Sequence, residues 1–251
     1  MNVSSFCNAY LHIECTPEAN LQEFCFCQIK KCQRKTVTCT VRLQDEYEND
    51  VLVKYFTNMY NREKKIMIHA EEIAISDPDV LACIPKCKNI IFYITYNPCH
   101  FSGGHNGYCN QKSCTLSLLK FQKDFSKCHI EIVIAYTYRA HWMTKKCNCK
   151  FDVAPEKYKP NILKSQEGIH ILFQRGIELR SFYEKDYDFL KCIMHPQMVM
   201  FYNMHRCHIL ERRKKMDTFV QSVLDQYKYK SNQFWTCRRC SLPSDPYCDL
   251  S

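Results

Sequence analysis

The chain has 251 residues, of which 46% are hydrophobic and only 5 are glycine. This composition supplies enough apolar surface for a folded core and excludes a disordered polymer. Lys and Arg number 35 against 26 Asp and Glu, giving a net charge of +9 that favours acidic partners such as nucleic acid, although it also suits an ordinary solvated surface.

Hydrophobic periodicity divides the chain into short strands and amphipathic helices. In chain order they are a helix (17–31), two strands with hairpin spacing (35–43 and 50–57), a helix (67–75) interrupted by Asp77-Pro78, a strand (89–96), a helix (113–125), a strand (129–138), a helix (162–176), a strand (177–183) and two helices (184–194 and 211–227). Because helices and strands alternate after the hairpin, we expect crossover connections and an α/β fold.

No internal repeat or Gly/Ser linker divides this pattern. We therefore expect one domain over residues 35–227, preceded by an N-terminal helical segment at 1–34 and followed by a Cys-containing tail at 228–251. The N-terminal sequence lacks the features of a signal peptide, and no run approaches 18 apolar residues. The expectation is an intracellular protein, cytoplasmic or nuclear, with no membrane span and most of its 19 cysteines reduced; a leader preceding this sequence would make it secreted.

Three His-x-Glu tripeptides occur, beginning at His12, His69 and His129. His12 lies in a loose N-terminal segment, and His129 begins a predicted strand, where residues two apart form a polar pair at the sheet rim. Only the tripeptide at His69 opens a predicted helix and is followed, about 30 residues later, by a buried strand that ends in Pro98-Cys99. A His-x-Glu followed by Pro-Cys is the zinc signature of base deaminases, in which the glutamate moves protons and does not bind the metal.

Residues 35–227 resemble the AID/APOBEC-like polynucleotide cytidine deaminases, of which the chain looks like a divergent member. The segments that carry the resemblance are Tyr-Asn-Pro-Cys (96–99), the strand ending in AYTY (135–138), and SQEGIHILFQRGIELRSFYEKDYDFL (165–190). The resemblance implies a cytidine-deaminase-like three-layer α/β fold, with a central five-stranded mixed sheet flanked by about six helices.

The second cysteine departs from the family pattern, in which two residues separate the cysteines. Here Cys99 is followed by Cys109 and Cys114. Cys114 heads a predicted helix, whose N-terminus stabilises a thiolate, so we favour it as the ligand and keep Cys109 as the alternative. His100 and His105 can bind zinc chemically, but we interpret them as solvated loop imidazoles.

The resemblance implies that His69, Cys99 and Cys114 hold one Zn²⁺ ion. Hydroxide on the ion then attacks C4 of cytosine, and Glu71 takes the water proton and delivers it to the ring and the leaving ammonia. Glu72 is the competing carboxylate, which we interpret as facing outward or stabilising the helix.

The same resemblance assigns the substrate-binding residues. Tyr96 and Tyr138 would line the base pocket, and Asn61, or Asn58 in its place, would contact the sugar. The loop that reads the preceding base would contain Arg139, Ala140, His141 and Trp142, and basic residues at 62–65, 139 and 145–150 would follow the phosphates.

The expected partner is a single-stranded nucleic acid, with DNA favoured over RNA. Two alternatives stay open. A free cytidine or nucleotide deaminase would keep the zinc site without a basic groove, and a catalytically inactive zinc-containing nucleic-acid-binding protein would use Cys109 to close the shell. Cys237, Cys240 and Cys248 could join His205 or His208 around a second zinc, but we interpret them as loose cysteines of the tail. The sequence does not fix the oligomeric state.

Overall fold

A computed structural model describes residues 37–61, 66–102, 112–137, 159–193, 203, 211 and 213–229. Their strands are β1 (Thr38–Gln44), β2 (Asp50–Thr57), β3 (Met59–Asn61), β4 (Ile66–Ile68), β5 (Asn89–Tyr96), β6 (His129–Tyr136) and β7 (Glu178–Ser181). Their helices are α1 (Ala70–Ile75), α2 (Pro78–Cys83), α3 (Cys114–Asp124), α4 (Lys159–Gln174), α5 (Glu184–Cys192) and α6 (213–229), with a 3₁₀ turn at Ile84–Lys86.

Five strands form one mixed sheet in the order β2-β1-β5-β6-β7. β1 is antiparallel to both β2 and β5, whereas β5, β6 and β7 are mutually parallel and are joined by helical crossovers. Together with the six helices of the described residues, this sheet confirms the predicted α/β fold. None of the described helices is both long and apolar enough to cross a membrane.

Helices cover both faces of the sheet, as two neighbouring residues of β5 show. Consecutive strand residues point to opposite faces. Phe92 meets Phe121 of α3 edge to face at 6.0 Å, and Tyr93 stacks on Phe189 of α5 at 5.2 Å. The sheet is therefore the middle of three layers. The main apolar core lies on the Phe92 side and includes buried residues of α1, α2, α3, α4 and α6.

The strands predicted at 50–57 and 89–96 have the predicted bounds. The helix predicted from residue 67 is wrong at its start, because 66–68 form β4 and the helix begins at Ala70. Pairing with β3 overrides the local helix propensity of these residues. Asp77-Pro78 does end the first helix and also begins the next: the Asp77 carboxylate accepts hydrogen bonds from two backbone N–H groups of α2.

The predicted segment 1–34 and the tail beyond residue 229 lie outside the described residues.

Gly176, predicted to end the helix that precedes β7, has a φ of 78°, which favours glycine at that position.

A buried ion pair joins α6 to the sheet. Arg213 is only 1% exposed and pairs with Asp217 one turn later in the helix. Its guanidinium also donates to the Tyr187 hydroxyl of α5 at 3.0 Å and to the backbone carbonyl of Ala135 in β6 at 3.3 Å. Asp217 accepts from the Ser181 hydroxyl at 3.1 Å, and burial raises its pKa despite the neighbouring guanidinium. Each charge is therefore satisfied only while the other is present.

Replacing Arg213 with methionine should therefore leave Asp217 buried without its cation. We expect Arg213→Met to lower the free energy of unfolding by about 3–5 kcal/mol. The matched control on the same helix is Lys215→Met, because the pair between Lys215 and Glu211 is exposed and the change should stay within about 0.5 kcal/mol. Urea unfolding of both variants measures this, and equal losses would contradict a special role for the buried pair.

Candidate metal centre

His69 lies at the junction where β4 ends and α1 begins. Its backbone is extended, and its N–H donates to the Glu72 carboxylate at 3.1 Å, which caps the first turn of the helix. Glu72 also lies 3.5 Å from the Lys112 ammonium. These contacts confirm the helix-stabilising role expected for Glu72, and they fix the position of the His69 backbone.

The two cysteines lie near the ends of secondary-structure elements that are consecutive in the chain. Cys99 lies three residues after the end of β5, and Cys114 is the first residue of α3. The Ser113 hydroxyl caps α3 by accepting from the backbone N–H of Leu116 at 3.1 Å. The N–H of Thr115 donates to the Cys99 carbonyl at 3.0 Å, so the start of α3 is hydrogen bonded to the segment that contains Cys99.

The three predicted ligands converge on one point. His69 Nδ1 lies 3.1 Å from the Cys114 sulfur and 3.3 Å from the Cys99 sulfur, and the two sulfurs are 3.5 Å apart. Ligands around a tetrahedral zinc ion, at about 2.3 Å for sulfur and 2.0 Å for nitrogen, are about 3.5–3.8 Å apart. The observed distances are within a few tenths of an ångström of that geometry, so the cluster can hold a metal ion with little rearrangement.

Hydrogen bonds link the three side chains to one another and shift their pKa values. Hydrogen bonds from Cys114 and then His69 lower the pKa of Cys99 well below its usual range, despite burial. The same contact with Cys99, together with burial, raises the pKa of Cys114. The hydrogen bond to Cys99 also raises the pKa of His69 to about 9. A metal ion that binds both thiolates and the imidazole must therefore displace protons from this cluster.

Glu71 is the buried carboxylate beside the three ligands. It is 3% exposed, and its Oε2 atom has no hydrogen-bond partner among the described residues. Burial and then the charge of Cys99 raise the pKa of Glu71 to about 7, although the charge of His69 lowers it. An unpartnered buried carboxylate oxygen is costly, so its presence indicates that a polar molecule belongs beside it.

The number of protein ligands distinguishes an open metal site from a closed one. Among the described residues three side chains converge, whereas a structural zinc site has four protein ligands and a catalytic one has three. The unpartnered oxygen of Glu71 is a group to which a water or a substrate could bind. Cys109, the alternative ligand, lies outside the described residues.

Two aromatic residues end the neighbouring parallel strands β5 and β6, and Cys99 lies three residues after the end of β5. Tyr96 and Tyr136 are register partners, and their rings are 5.7 Å apart. Tyr96 was a predicted pocket residue, but Tyr136 was not singled out in the sequence. The signal for it was available, because Tyr136 and Tyr138 are two apart and share a strand face.

The remaining substrate predictions are only partly covered by the structure. Asn61 is the last residue of β3. The Asn58 carboxamide accepts a hydrogen bond from the backbone N–H of Val37 at 2.9 Å, which gives it a structural contact at the start of β1. The predicted residues that lie outside the described ones are Tyr138, Arg139, Ala140, His141, Trp142, His105 and the basic residues at 62–65 and 145–150.

The interpretation of His100 as a solvated imidazole is wrong. His100 is fully buried, and its Nδ1 lies 3.0 Å from the Ser113 hydroxyl. It is buried because its backbone pairs with Ser113 in a short antiparallel contact, which turns the side chain toward α4. Sequence reasoning misinterpreted His100 and did not single out Ser113, although each directly adjoins a predicted cysteine ligand.

The other His-x-Glu of the described residues serves the sheet. His129 lies 3.4 Å from the Glu178 carboxylate, and Glu131 pairs with Arg180, so both partners belong to the adjacent strand β7. His12 lies outside the described residues. The polar residues at 129 and 131 therefore link the neighbouring strands β6 and β7.

A scan of the chain against models of protein families finds no match, and a search of the curated proteins finds no similar sequence. The interpretation of the site therefore depends on its own residues and their geometry.

The assignment of the second cysteine ligand can be tested with two single substitutions. Cys114→Ser should lower zinc affinity by at least about 100-fold. Even the residues that hydrogen bond to metal ligands lower metal affinity by about 10–100-fold when they are substituted. The matched control, Cys109→Ser, should retain one zinc ion per chain. Zinc content after dialysis against a chelator measures both, and loss of zinc in Cys109→Ser with retention in Cys114→Ser would reverse the assignment.

Proposed function

We propose that this protein is a zinc-dependent cytidine deaminase that converts cytosine to uracil in a single-stranded polynucleotide, with DNA favoured over RNA. One observation carries the proposal: an imidazole and two thiols converge beside a buried carboxylate whose Oε2 has no partner among the described residues. This is the donor set and the proton carrier that hydrolytic base deamination requires.

The donor set suits zinc. His69, Cys99 and Cys114 offer one nitrogen and two sulfurs, and zinc binds such borderline and soft donors in tetrahedral geometry. When bound in an open site, zinc supplies a Lewis acid that lowers the pKa of water toward neutrality.

Glu71 is placed to move the protons of the reaction. Water adds to C4 of cytosine and ammonia leaves, so one proton must pass from the water to the ring nitrogen and another to the departing amino group. A carboxylate whose pKa lies near neutrality exchanges protons in both directions at physiological pH. The free Oε2 of Glu71 is the atom that can do this, because no described residue bonds to it.

Tyr96 and Tyr136 support a base as the substrate. Both lie at the carboxyl ends of parallel strands. Cys99 follows one of these strands at the same edge of the sheet. An aromatic side chain that stacks on a base contributes about 1–3 kcal/mol and does not depend on base identity. The excess of basic residues supports a polynucleotide over a free nucleoside, because phosphates bind Lys and Arg.

Glu71→Gln provides the direct test. We expect zinc content to be unchanged and deamination to fall by about 10²–10⁴-fold, the usual contribution of a general acid–base group. Glu72→Gln is the matched control, since its amide oxygen can still accept from the His69 N–H, and this variant should keep most of its activity. Uracil formation is measured in a single-stranded DNA oligonucleotide, in the same RNA sequence and in free cytidine.

The three substrates and two salt concentrations separate the alternatives. Activity on the oligonucleotides should fall steeply as salt rises, because phosphate contacts release counterions. Salt-independent activity on free cytidine alone would identify a nucleoside deaminase. Full activity of zinc-loaded Glu71→Gln would exclude Glu71 as the proton carrier, and a zinc-loaded parent protein without activity on any substrate would indicate a structural zinc site.

A further inference from the structure

A short antiparallel stem holds the two cysteines together. Cys99 and Cys114 are 15 positions apart in sequence, compared with three in the Pro-Cys-x-x-Cys signature. The N–H of Phe101 donates to the Lys112 carbonyl at 3.2 Å, and the N–H of Thr115 donates to the Cys99 carbonyl at 3.0 Å. Between these two hydrogen bonds, His100 and Ser113 form an antiparallel bridge.

The His100 side chain reinforces this stem. Its Nδ1 lies 3.0 Å from the Ser113 hydroxyl, which also accepts from the backbone N–H of Leu116 and lies 3.5 Å from the Cys99 carbonyl oxygen. One hydroxyl thus connects the imidazole, the first turn of α3 and the backbone of a cysteine ligand. Displacing the imidazole would remove one of the three contacts that fix this hydroxyl.

The opposite side of the ring is held by α4. A Cβ atom at Gly168 would lie 2.6 Å from His100 Cβ, so the helix backbone rests directly on this residue. Nε2 of His100 is buried and has no hydrogen-bond partner among the described residues, and the Glu167 carboxylate is 3.8 Å away. An apolar ring of similar size would fill this space without burying an unpaired nitrogen, so packing alone does not explain an imidazole here.

We propose that His100 is a positioning residue of the metal centre, which acts through Ser113 to hold Cys114 against Cys99. The inference rests on the metal site of the proposed function. It accounts for the altered spacing, because the entropic cost of closing a loop rises only slowly with the length of the loop. The stem, and not the number of residues between the cysteines, brings the two sulfurs to 3.5 Å.

Two substitutions at His100 separate hydrogen bonding from packing. His100→Phe keeps a ring but removes Nδ1, and His100→Asn loses ring volume but keeps a polar group that can reach the Ser113 hydroxyl. We expect His100→Phe to bind zinc about 10–100-fold more weakly and His100→Asn to stay close to the parent protein. Zinc affinity is measured by chelator competition, and the thiolate-to-cobalt absorption of the Co²⁺-loaded protein reports whether both sulfurs bind. His129→Ala, in a half-exposed residue of the sheet rim, is the control and should change neither measurement.

Each outcome has a distinct consequence. The inference would be overturned if folded His100→Phe had the same zinc affinity and cobalt absorption as the parent protein. It would also be overturned if His100→Phe and His100→Asn lost zinc affinity equally. If His100→Phe does not fold, Ser113→Ala and Ser113→Thr decide in its place, with affinity lost in the first and kept in the second. A parent protein that binds no metal would overturn both this inference and the proposed function, whereas one that binds zinc without deaminating would contradict the proposed function alone.

Discussion

The contact between the Cys99 and Cys114 sulfurs is the interaction on which the rest of the site depends. Two buried thiols and an imidazole lie within 3.5 Å of one another, and a metal ion that binds all three must displace the protons that they hold. The surrounding structure fixes them in this arrangement from three directions. β4 and α1 hold His69, the end of β5 holds Cys99, and α3 holds Cys114.

Glu71 shows what this arrangement costs the fold. A carboxylate that is 3% exposed with an unpartnered oxygen is destabilising, and no described residue donates a hydrogen bond to that oxygen. The buried charges of α6, by comparison, are paired and hydrogen bonded on every side. The contrast separates the two kinds of buried polar group in this protein. The network around Arg213 stabilises the packing of α6, whereas Glu71 is left available for chemistry, as is common at functional sites.

Sequence patterns predicted the features that depend on local chain properties. The apolar run at 89–96 is bounded by polar and turn residues, and the hairpin strand at 50–57 is β-branched and bounded in the same way, so both strands were predicted with their observed bounds. His69, Cys99 and Cys114 were found because the order of helix start, buried strand and second helix start is written in the sequence.

β3 and β4 escaped prediction because strands of three residues have no measurable period, and their pairing is a tertiary contact. His100 was misinterpreted because its burial depends on Gly168, a residue distant in sequence whose missing side chain lets α4 approach. Tyr136 has the spacing to Tyr138 that places it on the same face of the predicted strand, but its proximity to Tyr96 follows from the parallel register of β5 and β6, which the sequence does not state.

X-ray absorption by the zinc-loaded protein tests the central claim most directly, because it counts the atoms bound to the metal. We expect two sulfur ligands at about 2.3 Å and two lighter nitrogen or oxygen ligands at about 2.0–2.1 Å, which correspond to Cys99, Cys114, His69 and one exchangeable water. A shell with three or more sulfurs, or a folded protein that retains no zinc, would contradict an open site formed by these three residues.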